Sequence, residues 1–210
     1  MTPIILVVLI VLLVIVLMQL FKKPAATAPA APSGPDLANL KVTDACTGDV
    51  LSVSGAGDNL TDLDFTVDRS TRFQAGAHYW VELSGPYRER RVTLRVAGDE
   101  DIEAAIQNDP RKLTIEDLGL AEEDLAAMDE RQNTADNFEF DGKSWQYRRS
   151  REATSARDGY MQPAKFYYWE FQEQGGPRLL TIRKDEGEPF AVTVYSAIPA
   201  QNVTVYRGTA

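Results

Sequence analysis

From Ile4 to Met18 every side chain is apolar, and Gln19 is the single polar interruption before Leu20 and Phe21. Residues 4–21 as a helix would extend roughly 27 Å at about 1.5 Å per residue. That matches the roughly 30 Å hydrocarbon core of a bilayer. Val, Ile and Leu are indifferent helix formers in water, but in lipid the backbone has to satisfy its own hydrogen bonds. The run therefore predicts one transmembrane helix. A cleaved signal peptide is the alternative. Against it stand the length of the run, the absence of Lys or Arg before it, and Pro29 directly after the best cleavage-like site, Ala26-Thr27-Ala28.

Lys22 and Lys23 follow the run and no basic side chain precedes it. Positive flanks stay inside, so the rest of the chain is expected in the cytoplasm, with residues 1–23 as the anchor in the cell membrane. A single cysteine, Cys46, excludes an intramolecular disulfide and suits a reducing compartment. Residues 24–36 are rich in Pro and Ala and build no core. They read as a spacer of up to about 35 Å at roughly 3.1 Å per residue. The remaining 37–210 form the soluble domain.

That domain is acidic: the whole chain carries −9, and two of its positive charges are the lysines at the membrane. Nucleic acid is excluded as a partner, because phosphate binding needs a basic face. A cationic or neutral partner is expected.

From Asp49 onward, period-two patterning predicts strands. Leu63, Phe65 and Val67 alternate with polar residues, and Ser84-Gly85-Pro86 is expected to separate two strands at 78–83 and 91–96. Asp141-Gly142 between Phe138–Phe140 and Trp145–Tyr147 is a hairpin signal. Between the strand regions, Leu118, Ala121, Leu125 and Met128 keep helical spacing. Thr114 with Asp117 resembles a capping box, and Gly119 is expected to divide the segment. Residues 100–107 are expected to add a helical turn.

A shift of 88 positions places Tyr79 on Tyr167, Glu82 on Glu170 and Arg95 on Arg183, and a shift of 80 places Ser70 on Ser150. The expected fold is therefore mainly β (β-rich α+β). It comprises two similar antiparallel sheet units, an internal repeat over 48–98 and 137–195, joined by a helical connector at 100–131.

Catalytic signals are sparse. His78, the only histidine, lies beside Tyr79 and Trp80 in a strand and reads as structural. One His and one Cys cannot build a structural zinc site. Asp99, Glu100, Asp101 and Glu103 lack calcium-loop spacing. No phosphate loop or nucleophile elbow occurs. No catalytic, metal or cofactor residue is assigned, and no enzyme activity is expected. Glu82 and Glu170 could work as an acid–base pair, but ion pairing with Arg90 or Arg178 is the plainer reading. Aromatics crowd the later strands. One face of Phe166–Phe171 should build the core. The other is either covered internally or exposed as a partner surface around Trp80, Tyr167, Tyr168 and Trp169.

Several stretches resemble a bacterial family of β-rich domains of unknown function, the domain-4178 family: Gly48-Asp49-Val50, Asp62–Val67, Tyr79–Gly85, Phe138–Tyr147, Phe166–Phe171 and Glu186–Phe190. The resemblance covers about residues 40–207. It implies an accessory protein in a membrane-stress or polyamine setting, and it implies no reaction and no site residues.

Two functions are expected as rivals. One is a membrane-tethered scaffold or interaction module for a membrane-associated protein. The other is a binding domain for a small cation such as a polyamine.

Overall fold

The computed structural model describes residues 40–98, 101–107, 109–158 and 162–208. The predicted transmembrane segment and linker lie outside the described residues. Among the described residues, no helix is long and apolar enough to cross a membrane.

Twelve strands dominate the described residues: β1 (Val50–Val53), β2 (Leu63–Thr66), β3 (Arg69–Ala75), β4 (His78–Tyr87), β5 (Arg90–Ala97), β6 (Glu103–Gln107), β7 (Asn137–Phe140), β8 (Lys143–Arg157), β9 (Ala164–Glu173), β10 (Arg178–Asp185), β11 (Ala191–Ile198) and β12 (Val203–Tyr206). The fold is mainly β, as the period-two patterns predict. Two antiparallel meanders, β3-β4-β5-β6 and β8-β9-β10-β11, join through β6 with β11 and through β3 with β8. The sheet thus closes into an eight-stranded barrel, and β7 extends it beyond β8. The two expected sheet units thus extend one another into one closed sheet, and β1 and β2 of the first repeat span stand outside it in the small sheet. Each meander hides its two edges on the other, because an unpaired edge leaves backbone groups unsatisfied.

Alternation along the strands sorts side chains to the two sides of the barrel wall. On one flank, the small sheet β12-β1-β2 lays Leu51, Phe65 and Val205 against Leu83, Leu94 and Ile106 of β4, β5 and β6. On the other, a 3-10 turn (Glu116–Leu118) and helix α1 (Glu122–Arg131) cover the outer face of β8–β11, with Leu118, Leu125 and Met128 packed among Trp145, Trp169, Phe171 and Ile182. The two are separated at Gly119, whose φ of 71° is left-handed, as its position in the sequence suggests. Thr114 N–H donates to Asp117 at 2.8 Å, as in a capping box.

Asp141 and Gly142 both take positive φ, as a type I′ hairpin turn requires. Two local expectations are corrected. Residues 103–107 are a strand, since Ala104 and Ile106 bury one face and β5 and β11 supply backbone partners on both sides. Ser84-Gly85-Pro86 does not end a strand either, and β4 runs on to Tyr87. Pairing with β3 stops at Ser84, so the missing N–H of Pro86 costs no ladder bond. Gly85 is needed because β2 crosses there: a Cβ would collide with the Thr66 carbonyl and sit 2.7 Å from Phe65 Cδ2.

Candidate ligand site in the barrel

The interior of the barrel combines an aromatic half with a charged one. Phe73, Trp80, Phe166 and Tyr168 form a buried cluster with Ala75, Ala97 and Ala153, and Phe73 stacks on Trp80 with ring centres 5.0 Å apart. Beside it lies Glu170, whose side chain is 2% exposed, paired with Arg95, which is 6% exposed, at 2.7 Å. These residues come from β9 and β5, which are not neighbours in the sheet, so the pair spans the interior.

Two more guanidinium groups reach the same carboxylate, Arg149 at 3.3 Å and Arg148 at 3.4 Å. Consecutive strand residues normally point to opposite faces. Here the register of β8 against β9 slips between Tyr147 and Arg149, a bulge that turns both arginines inward. Burial opposes the charge on Glu170, but Arg95 first and Arg149 and Arg148 after it hold the carboxyl below its ordinary range.

Arg95 is held from several sides. Its guanidinium lies over the Trp80 ring at 4.9 Å and the Tyr195 ring at 5.9 Å. Tyr195 O–H and Trp80 Nε1–H both donate to Glu82 Oε1, at 3.0 and 3.3 Å. Burial, and then Glu82, push the Tyr195 phenol well above its ordinary range. One nitrogen of Arg95, Nη1, has no hydrogen-bond partner among the described residues. Arg95 also borders a cavity of about 500 Å³ at the barrel mouth. Arg148 and Gln172 line one side of that cavity, and Ala97, Ile102, Leu179 and Ala197 supply apolar wall.

The residues singled out in the sequence are dispersed. Trp80 and Tyr168 are buried inside the barrel, while Trp169 is buried outside it beneath α1, with its indole N–H donating to Leu125 O at 3.0 Å. Tyr167 is partly buried beside them, and its O–H donates to Asp129 at 2.6 Å. Burial and then this bond push the Tyr167 phenol up to about 12. The four aromatics therefore belong to two separate interiors and form no common surface.

Glu82 and Glu170 both point into the barrel but differ in setting, the first bound by neutral donors and the second ringed by arginines. Neither pairs with the arginines expected of it. Arg90, at the β4–β5 turn, binds Asp58 at 2.7 Å, and Arg178 binds Glu173 at 3.0 Å. The repeat alignment also slips. Glu82 faces Arg95 across the ladder, but Glu170 faces Thr181, two residues short of Arg183.

Sequence reasoning missed Arg95, Arg148, Arg149 and Tyr195. The one available signal was the Arg148-Arg149 pair inside a strand otherwise alternating Trp145, Tyr147 and polar residues. Among the described residues, no group of three or more His, Cys, Asp or Glu side chains could hold a metal ion.

No family model, curated protein or solved structure matches the chain. The resemblance to the domain-4178 family accordingly rests on the quoted motifs alone.

Proposed function

We propose that this chain is a membrane-tethered, non-enzymatic binding module whose barrel receives a small ligand at the mouth beside Arg95. The observation that carries the reading is that Arg95, almost fully buried and with one N–H unpartnered among the described residues, borders a cavity of about 500 Å³. Buried polar groups are almost always satisfied, and ligand pockets span roughly 300–1,000 Å³. Both carboxylates are engaged in internal contacts: Glu170 is ringed by three arginines, and Glu82 accepts from Tyr195 and Trp80. That supports binding over catalysis.

The tether is residues 4–21, with the barrel on the cytoplasmic side. The two meanders are duplicated copies of one unit in a member of the domain-4178 family. Support for the duplication comes from the pairing of equivalent strands, β3 with β8 and β6 with β11.

Full-length protein in lipid nanodiscs, screened by ligand-detected NMR against a library of anions, cations and neutral molecules, tests the reading. The control is Ala197→Trp, which fills the mouth. Hits lost in the control support it. A folded wild type that takes nothing from the library removes it.

A second reading, a scaffold for a membrane-associated protein, draws on β12. It is an edge strand of the small sheet with Tyr206 57% exposed, suited to strand addition. Crosslinking of the full-length protein in its native membrane, against a form lacking residues 1–35, tests it. Capture of the same partners by both forms argues against tether-dependent docking.

A further inference from the structure

The acidic surface would suggest a cation as ligand, but the mouth of the barrel has the opposite character. We infer that the barrel selects a monoanion with an apolar body, such as a monocarboxylate, whose charged end meets the guanidinium groups of Arg95 and Arg148. This rests on the binding reading above and names the ligand class for that site.

Three observations converge on it. Arg95, Arg148 and Arg149 gather around Glu170, with Glu82 across the ladder from Arg95, so three guanidinium groups face two carboxylates and one positive charge is in surplus. Glu170 holds Arg95 through Nη2, Nη1 has no partner among the described residues, and the Arg95 side chain borders the cavity. A guanidinium presents its donors in a fixed planar fork, so a carboxylate arriving there is oriented as well as neutralised. Arg148 is 34% exposed and lines the same cavity, so it offers a second cation nearer the entrance.

The walls set the rest of the ligand. Ala97, Ile102, Leu179, Ala197 and Ile198 are apolar, which calls for a hydrocarbon portion beyond the charged end. Glu103 also lines the cavity, and its negative charge disfavours a dianion or polyanion. A phosphate monoester meets that repulsion twice over, and a polyamine meets the arginines. A single negative charge on a short aliphatic body fits both.

The test uses full-length protein in nanodiscs with hexanoate, hexanol and hexylamine as anionic, neutral and cationic probes of equal length, and empty nanodiscs as blank. Saturation-transfer NMR titration is the readout. Hexanoate is expected to bind at least about tenfold more tightly than the other two, the scale of one charge-assisted hydrogen bond. Arg148→Gln is expected to weaken hexanoate several-fold. Ala197→Trp, which leaves the arginine cluster intact, is expected to abolish it. Arg95→Met is informative where its circular dichroism matches wild type, and Ala197→Trp decides where it does not.

Hexanol or hexylamine binding as tightly as hexanoate, and lost in Ala197→Trp, overturns the anion inference while leaving the binding reading standing. Hexanoate binding that survives Ala197→Trp overturns the placement. No binding of any probe to folded protein overturns both.

Discussion

Glu170 and Arg95 meet at 2.7 Å across the inside of the barrel, each from the middle strands of a different meander, and neither side chain has appreciable contact with solvent. Removing one charge leaves the other buried without its partner, which typically costs 3–5 kcal/mol. Glu170→Gln is thus expected to lower the melting temperature by about 10 °C in a domain of this size. The double variant Arg95→Met with Glu170→Met is expected to recover much of that loss. Thermal unfolding followed by circular dichroism measures both.

His78 sets a pH dependence. Burial first, and Arg149 second, lower its pKa from 6.5, and its Nε2 has no hydrogen-bond partner. Folding therefore disfavours the protonated ring. The stability this contributes is complete above the unfolded value near 6.5. It is lost as pH falls through the lower folded value. Melting temperature is expected to fall between pH 7 and pH 5, and His78→Phe is expected to flatten that slope. An unchanged slope in the variant places the effect elsewhere.

Asp129 anchors the end of α1 to the barrel wall. It accepts from Tyr167 O–H at 2.6 Å, from Gln132 Nε2 at 2.9 Å and from the Ser150 hydroxyl, which itself meets Tyr147 O–H at 2.6 Å. Tyr167→Phe removes one hydrogen bond to a charged group and is expected to cost about 1.5–3 kcal/mol. Asp129→Ala removes the common acceptor of Tyr167, Gln132 and Ser150 and is expected to cost more. Hydrogen exchange in Glu122–Arg131 is expected to accelerate before global unfolding in both variants.

Gly85 tests the crossing of β2 over β4. A methyl group there overlaps the Thr66 carbonyl, so Gly85→Ala is expected to cost at least about 1–3 kcal/mol, the usual range for overpacking. Chemical-shift changes should centre on β2 and the Leu51–Phe65 packing. Changes confined to β5 would count against this account.

What the sequence conveyed depended on how local the cause was. Asp141-Gly142 and Gly119 act through their own φ angles, and both were legible. Leu63–Val67 and Leu118–Met128 declare themselves by period, and both formed as read apart from short 3-10 and extended pieces. Glu103–Gln107 was misread because five residues carry too little pattern, and only β5 and β11 on either side make them a strand. The arginine cluster was not legible. Its formation depends on a bulge at Arg148 and on closure of the barrel, which brings β5 face to face with β9. Nothing in the spacing of Arg95, Arg148, Arg149 and Glu170 along the chain records that closure.

The seams that close the barrel also bear on how it folds. Within each meander the neighbours are hairpins, whose contacts are short-range and form quickly. The β3–β8 seam instead joins Thr71 to Arg157, with most of the first meander and the whole helical connector lying between them. Loop-closure entropy places that step late. Until it and the equally long-range β6–β11 seam are made, four strand edges, those of β3, β6, β8 and β11, stay open to other chains. A newly made copy is therefore most prone to aggregate between completing its second meander and shutting the seam.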